Sequence, residues 1–517
     1  MEFSYDSQSQ KGETVPSTLG LINEQNERKR ILKKLASSIK ERPLLCVALM
    51  LFWTWLNLAY QGPLFFPPVI LKSGFHFSTW VGPIFASALA YFTLGVWFKR
   101  TNRVIKQRWY IGCVCALMAL GALLCFLWIN GSGASLDTVP TITLYVLGSL
   151  AIGIGTALLM IEWGRIFGYL GSQQVLFHGI IAMLGSALLV SVLSLMLAVV
   201  GQLLFVLIPV PLAACLNKTL RSLPRKILYN HGLDAELKVP YKFLITSFLH
   251  GLSLGVLMGW LLLLGNQSSM SLLTALCFVV AAILLLLTAA FFKMDFNHLL
   301  YQVGFGITAT GAFLIACFGN IPVFGVSFQL VGFCYVHLTM WGLCSYLIKN
   351  FKLPSTWVIA WPTCCLMLGQ LLGGVVGSVL GQQHDAPHWI QLLAICMLFM
   401  LLMAALLMFS SRNYTTGWGI ASPGNLIHAD SALDVAAENL KIKYNLTPRE
   451  TEILTLMSRG RNRKVISAEL VISEETTKSH INALYRKLGI HSQQELLDLT
   501  EALVEEDRSK NQSIPFE

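Results

Sequence analysis

Two sets of side chains in this sequence have the types and spacing needed for chemistry. Near the C-terminal end, Lys478, Ser479, Asn482 and Arg486 recur at helical spacing and would share one side of a helix. Two cations, a hydroxyl and an amide on one helix face can donate to phosphate oxygens and meet base edges in a nucleic-acid groove. The second set lies within long apolar stretches: Asn57, Glu162, His250, Gln329, Tyr335, His337 and Trp341, together with Trp53, Trp55, Tyr60 and Gln370. Polar and ionisable groups at membrane depth are costly to keep, so they mark candidate ligand contacts. Each also has a plainer use, as an interhelical hydrogen bond or an interface aromatic. Glu162 stands three residues before Arg165, so the two can pair on one helix face as a structural ion pair.

The first set needs a helix whose other side is anchored. Ile481, Leu484, Tyr485 and Leu488 recur at i, i+3, i+4, i+7 and are expected to face a core. Ser473 is placed to cap the start of this helix, Glu474 and Glu475 sit at its positive end, and Gly489 ends it. Upstream, Thr447-Pro448-Arg449-Glu450 reads as a capping box with proline at the first helical position, and Gly460 stops that helix. A short helix over about 462–470 buries Ile466 and Leu470. Ser492-Gln493-Gln494-Glu495 forms a second capping box and opens a last helix bearing Leu496, Leu499 and Leu503. Four short helices with a tight turn before a basic third helix describe a helix-turn-helix reader.

Residues 446–504 closely resemble the LuxR-type DNA-binding domain. The resemblance rests on Leu446-Thr447-Pro448-Arg449-Glu450, Glu452-Ile453-Leu454, Gly460, Lys464, Ile466, Leu470, Ile472-Ser473, Thr476, Lys478, His480-Ile481, Lys487-Leu488-Gly489-Ile490, Ser492 and Glu495. It implies that Lys478, Ser479 and Asn482 enter the major groove and that Thr476 and Lys464 touch the DNA backbone. It further implies a homodimer formed through the last helix, 492–503. Thr477 replaces the usual valine, and Arg463-Lys464-Val465-Ile466-Ser467 departs from the usual Asn-Lys-Glu-Ile-Ala, which leaves the target sequence open. Residues 446–490 hold eight Lys/Arg against five Asp/Glu, so affinity is expected to lean on dimerisation and base contacts more than on bulk charge.

The second set needs a membrane. Across 517 residues, 55% are hydrophobic, only 12% are charged, and mean hydropathy is +0.63, values foreign to soluble domains. Twelve apolar runs are long enough to cross the bilayer: about 44–61, 79–98, 109–129, 142–164, 176–198, 200–216, 243–264, 270–292, 299–319, 323–348, 356–380 and 388–410. Gly201-Gln202 is the expected turn between the fifth and sixth. With the polar, basic N-terminus inside and no removable signal peptide, Arg28-Lys29-Arg30, Lys99, Arg100, Arg103, Lys218, Arg221, Arg225 and Lys226 all fall on the cytoplasmic side, and the outer side receives only Lys72. Both termini are therefore expected in the cytoplasm. The twelve cysteines all fall in apolar stretches, which points to small-residue packing and away from disulfides or a metal site. Gly369, Gly373, Gly377 and Gly381 stack every fourth residue on one face of the eleventh run, where they admit a neighbouring backbone.

A basic loop near 217–242 divides the runs six and six. With the basic loop at 98–103, this pattern resembles the major facilitator superfamily over about 44–410, although that superfamily's loop glycine and aspartate are missing here. The resemblance implies a central cavity lined by runs one, four, seven and ten, the runs that carry most of the second set.

The expected architecture is all-α. It comprises a basic segment 1–43, a membrane domain 44–410, a Gly/Pro-containing linker with a short helix at 411–445, the reader 446–504 and a polar tail 505–517. The expected function is a regulator in the bacterial cytoplasmic membrane that senses a small molecule or a membrane signal and binds double-stranded DNA. A transporter carrying a regulatory appendage is the alternative. No catalytic motif, cofactor or metal is expected.

Overall fold

The computed structural model describes residues 42–60, 66–71, 75–105, 109–223, 241–261, 267–291, 296–319, 321–351, 353–408, 443–458, 463–470, 472–492 and most of 495–500, with a few isolated positions. They divide into two compact units, one within Glu41–Leu426 and one within Met1–Lys40 together with Ile427–Glu517.

The first unit is helical. Its elements are α1 (Pro43–Tyr60), α2 (Val81–Val96), α3 (Phe98–Ile105), α4 (Tyr110–Ser132), α5 (Val139–Leu170), α6 (Ser172–Leu195), α7 (Ala198–Leu207) and α8 (Pro209–Ser222). After the basic loop follow α9 (Tyr241–Leu261), α10 (Gln267–Leu286), α11 (Phe305–Cys317), α12 (Pro322–Phe351), α13 (Ser355–Gly381) and α14 (Ala386–Met408). A π-helical turn continues α10 at Leu287–Phe291, and another leads into α11 at His298–Gly304. Among the described residues, eleven of the expected twelve spans are long and apolar enough to cross a membrane. The shortfall is α2, whose sixteen residues extend roughly 24 Å at 1.5 Å per residue. Trp97 leaves helical geometry and ends it before the basic helix α3.

The expected turn at Gly201-Gln202 is also misplaced. The chain breaks instead at Met196 and Leu197, both extended, and Gly201 and Gln202 are buried inside α7. There the Gln202 side-chain oxygen accepts a hydrogen bond from Asn130 on α4 at 2.8 Å. Helices α7 and α8 together make the sixth span, Ala198–Arg221.

The two halves repeat one pairing scheme. Counting α7–α8 as one span, spans one and five pair, as do two and four, three and four, and three and six. Six positions later, seven pairs with eleven, eight with ten, nine with ten, and nine with twelve. The halves meet through spans two and eleven and, symmetrically, through five and eight. Such a shift-by-six pattern is the mark of two parallel repeats related about an axis along the membrane normal.

Between α1 and α2, strands Pro68–Ile70 and His76–Ser78 form a small antiparallel hairpin with Val69 opposite Phe77. Gln382, just past α13, straps it: its oxygen accepts from the His76 N–H at 2.7 Å, and its amide donates to the His76 carbonyl at 3.0 Å.

The second unit has its own core. Helices α15 (Pro448–Ser458), α16 (Arg463–Leu470) and α17 (Glu474–Leu488) enclose Ile453, Leu454, Ile466, Leu484 and Leu488, joined by Ala437, Leu440 and Leu496. The short helix expected from Asp430 lies largely outside the described residues.

Candidate functional site

In the C-terminal unit, local hydrogen bonds set the pose of α17. The Thr476 N–H donates to Ser473 Oγ at 3.0 Å, and Gly489 closes the helix at φ +68°, a left-handed conformation that favours glycine. At the head of α15, the Glu450 N–H donates to Thr447 Oγ1 at 3.3 Å and the Thr447 N–H donates to Glu450 Oε2 at 2.8 Å, the reciprocal capping box. Lys487 Nζ, from the end of α17, donates to the same Glu450 oxygen at 2.7 Å. Burial raises the Glu450 carboxyl, but the hydrogen bonds from Lys487 and Thr447 outweigh it and hold it below its ordinary range. One carboxylate thus fastens α15 to α17. Sequence reasoning missed this tie, because Lys487 and Glu450 are 37 positions apart.

On α17, Thr477, Leu484 and Leu488 are buried, and Ile481 and Tyr485 pack against the same core. Thr476, Lys478, Ser479, Asn482 and Arg486 are exposed. Among the described residues, no side-chain hydrogen bond is made by Lys478, Ser479, Asn482 or Arg486. Lys464 lies on α16. In the last helix, Ser492 Oγ accepts from the Glu495 N–H at 3.2 Å, and Glu495 accepts from the His491 N–H at 3.0 Å, which with Ser492 holds its carboxyl low. Leu496 is consumed by the unit's own core and Leu499 is half-buried against it. Leu503 lies outside the described residues.

In the membrane unit a cavity lies between the halves. Trp53, Leu56, Asn57 and Tyr60 of α1 face Phe333, Cys334, His337 and Trp341 of α12 across it, and Thr363, Leu366, Met367 and Gln370 of α13 close a further side. Tyr91, Met160 and Phe278 complete the wall. The rings interlock edge to face: Trp53 and Trp341 at 4.8 Å between centroids, Trp53 and His337 at 5.7 Å.

Of the seven expected pocket residues, Asn57, His337 and Trp341 line this cavity. His250 does not; it stands behind the wall, its ring stacked on Phe333 at 4.4 Å. Tyr335 points elsewhere, sharing a hydrogen bond with Thr288 of the π-helical turn at 2.7 Å. Gln329 packs where Gly311 lets α11 approach α12. Glu162 is also absent from the lining, since Arg165 Nη1 donates to its Oε2 at 3.0 Å and both side chains are almost wholly buried.

The seventh span was expected to line the cavity, but the eleventh does so. A Cβ on Gly251, Gly255 or Gly259 of α9 would stand 2.0–2.5 Å from the carbonyl oxygens of Leu366, Gln370 and Gly374 on α13. Gly369, Gly373 and Gly377 reciprocate against Phe248, Leu252 and Val256. The two backbones touch, so α13 lies flush beside α9 and presents Gln370 inward. The half of this contact carried by α9 was legible as glycines at every fourth residue but went unread.

Comparison with known proteins separates the two units. Residues 444–500 match the family model of bacterial regulatory proteins, luxR family. The chain is 43% identical over 65 residues to the nitrate/nitrite response regulator protein homolog of Haemophilus influenzae, covering 13% of this chain and 26% of that protein. It is 56% identical over 45 residues to the transcriptional activator protein CarR of Pectobacterium carotovorum, covering 9% and 18%. The chain therefore spans about a quarter or less of these relatives. Among solved structures, the chain is similar to the Escherichia coli fucose:proton symporter, with 16% identity, a TM-score of 0.48, and coverage of 72% of this chain and 99% of that one. A bacterial homologue of the iron transporter ferroportin gives 12%, 0.46, 72% and 99%.

Proposed function

We propose that this chain, a multi-pass membrane protein whose residues 444–500 form a LuxR-family regulator domain, is a one-component transcription regulator: its membrane unit senses a small molecule and its C-terminal unit binds operator DNA. The observation that carries the reading is the division of α17. One side is fixed by the Ser473 cap, the Glu450–Lys487 tie and three buried side chains; the other offers Lys478, Ser479, Asn482 and Arg486 to a partner. Thr476 and Lys464 serve the phosphate backbone in this reading, and the unit works as a homodimer through helix 492–503. The Lys/Arg asymmetry supports a bacterial cytoplasmic-membrane location with both termini inside.

A transporter with a DNA-binding appendage is the other reading. It calls for an acid free to exchange protons within the spans, and the strongest such candidate, Glu162, is engaged by Arg165.

The test is DNA binding and reporter expression by Lys478→Ala and Asn482→Ala. A good base contact is worth ~1–3 kcal/mol, and a dimer feels each loss twice. Both variants lose operator binding at unchanged protein level and membrane insertion. If Asn482 reads a base, its loss relaxes sequence preference. If Lys478 meets phosphate, its loss weakens all sequences and lowers the salt slope by about one. Normal regulation by both variants would remove α17 as the reader.

A further inference from the structure

We infer that the central cavity takes an uncharged, flat, aromatic-sized molecule carrying a hydrogen-bond acceptor, with the acceptor held by the Gln370 amide and the ring set among Trp53, Trp341 and Phe333. The inference deepens the sensing role proposed above and depends on it only for the transcriptional consequence.

Three observations lead there. First, among the described residues the wall contains no aspartate, glutamate, lysine or arginine, although it lies where the two halves meet. A charged ligand would leave water without a counter-charge to receive it, a cost of several orders of magnitude in affinity. Second, the wall is ring-rich: Trp53, Tyr60, Tyr91, Phe278, Phe333 and Trp341 meet at it. The contacts of Trp53 with Phe278 and Trp341 are edge to face, at 6.2 and 4.8 Å. A wall of rings packed in this way receives another flat ring favourably, edge to face or offset.

Third, Gln370 is 2% exposed, lines the cavity, and its Nε2 has no hydrogen-bond partner among the described residues. His337 lines the cavity too, and its Nδ1 is likewise unpartnered. Buried polar atoms are nearly always satisfied, so two orphans at one apolar cavity point to a ligand's polar atoms as their partners. The backbone contact between α9 and α13 fixes the stretch of α13 that carries Gln370, so the amide is preorganised.

The experiment uses the full chain in nanodiscs, with radiolabelled benzamide as the probe and protein-free nanodiscs as the blank. Benzamide binds saturably, and benzoate and benzylammonium, which keep the ring but carry charge, compete at least about a hundredfold less well. Absence of saturable benzamide binding, or competition by benzoate at parity, would overturn the inference. Gln370→Leu weakens benzamide about threefold to tenfold, the worth of one hydrogen bond, and an unchanged affinity would refute the role of the amide. Gln370→Glu keeps the shape and shifts preference from benzamide toward benzylammonium; should the leucine variant fail to fold, this reversal and the wild-type competition series still decide. A reporter assay separates the two readings. Saturable benzamide binding with no neutral aromatic altering expression would sink the sensing role and spare this assignment. A reporter driven through this cavity by a charged compound would do the reverse.

Discussion

Gly255→Ala adds one methyl group where α9 meets α13, and the structure gives its consequence. The new Cβ would stand 2.2 Å from the Gln370 carbonyl oxygen and 2.8 Å from the Gly374 nitrogen. Ordinary van der Waals contact begins near 3.4 Å, so the two helices must separate by roughly 1.2 Å (3.4 − 2.2) at that point. Neither obstacle is a side chain that can rotate away; both are backbone. Overpacking of this kind costs about 1–3 kcal/mol, and with backbone in the way the upper end applies. Alanine returns at most about 1 kcal/mol of helix propensity, which leaves a net loss of about 2 kcal/mol. Gly112→Ala in α4 and Gly306→Ala in α11 are matched controls, because a Cβ at either position meets nothing within 4 Å. They should gain up to about 1 kcal/mol. Denaturant unfolding of the detergent-solubilised chain, followed by tryptophan fluorescence, ranks the variants. If Gly255→Ala is as stable as Gly112→Ala, the backbones do not touch and the account of why α13 lines the cavity fails.

Because the Glu450 carboxyl is held below its ordinary range, the stability it contributes is full above the unfolded-state carboxylate pKa. It is lost as pH falls through the lower folded value. Segment 427–517 should therefore lose stability on acidification through that window, and Glu450→Gln should flatten the profile; an unchanged profile in the variant counts against the tie to Lys487. Leu503→Glu should weaken binding to a two-half-site operator without unfolding the segment, as circular dichroism would show, and undiminished binding would place the dimer contact elsewhere. Reporter fusions after Phe98 and at the C-terminus should both register cytoplasmic, and an external C-terminus would end the regulator proposal.

Much of the C-terminal unit was legible because its determinants are local. Capping boxes, a glycine stop and an i, i+3, i+4 stripe act within one or two turns, and the sequence carries them openly at Thr447–Glu450, Ser473 and Gly489. Span existence was legible for a similar reason, since hydropathy is additive along the chain. Span boundaries were not. Nothing in the side chains of Met196 and Leu197 marks a break, whereas Gly201-Gln202 looks like one and is instead a packing contact with α4. The cavity was legible only in part because lining is a property of pairs of helices. Polarity alone nominated Glu162, Tyr335 and Gln329, each of which serves Arg165, Thr288 or Gly311 instead.

If the LuxR-family unit binds DNA as proposed, its attachment to a multi-pass membrane unit changes how it must find its target. A freely diffusing regulator reaches its site by sliding and hopping along the chromosome. A regulator held in the bilayer cannot leave it, so its search would be two-dimensional and the locus would have to come within reach of the linker. Occupancy then depends on the mobility of the gene and on how many copies of the protein share the membrane near it, with the linker setting the effective concentration as any tether does. Moving the target promoter to a chromosomal position that rarely visits the envelope would weaken regulation without altering a single contact between protein and DNA.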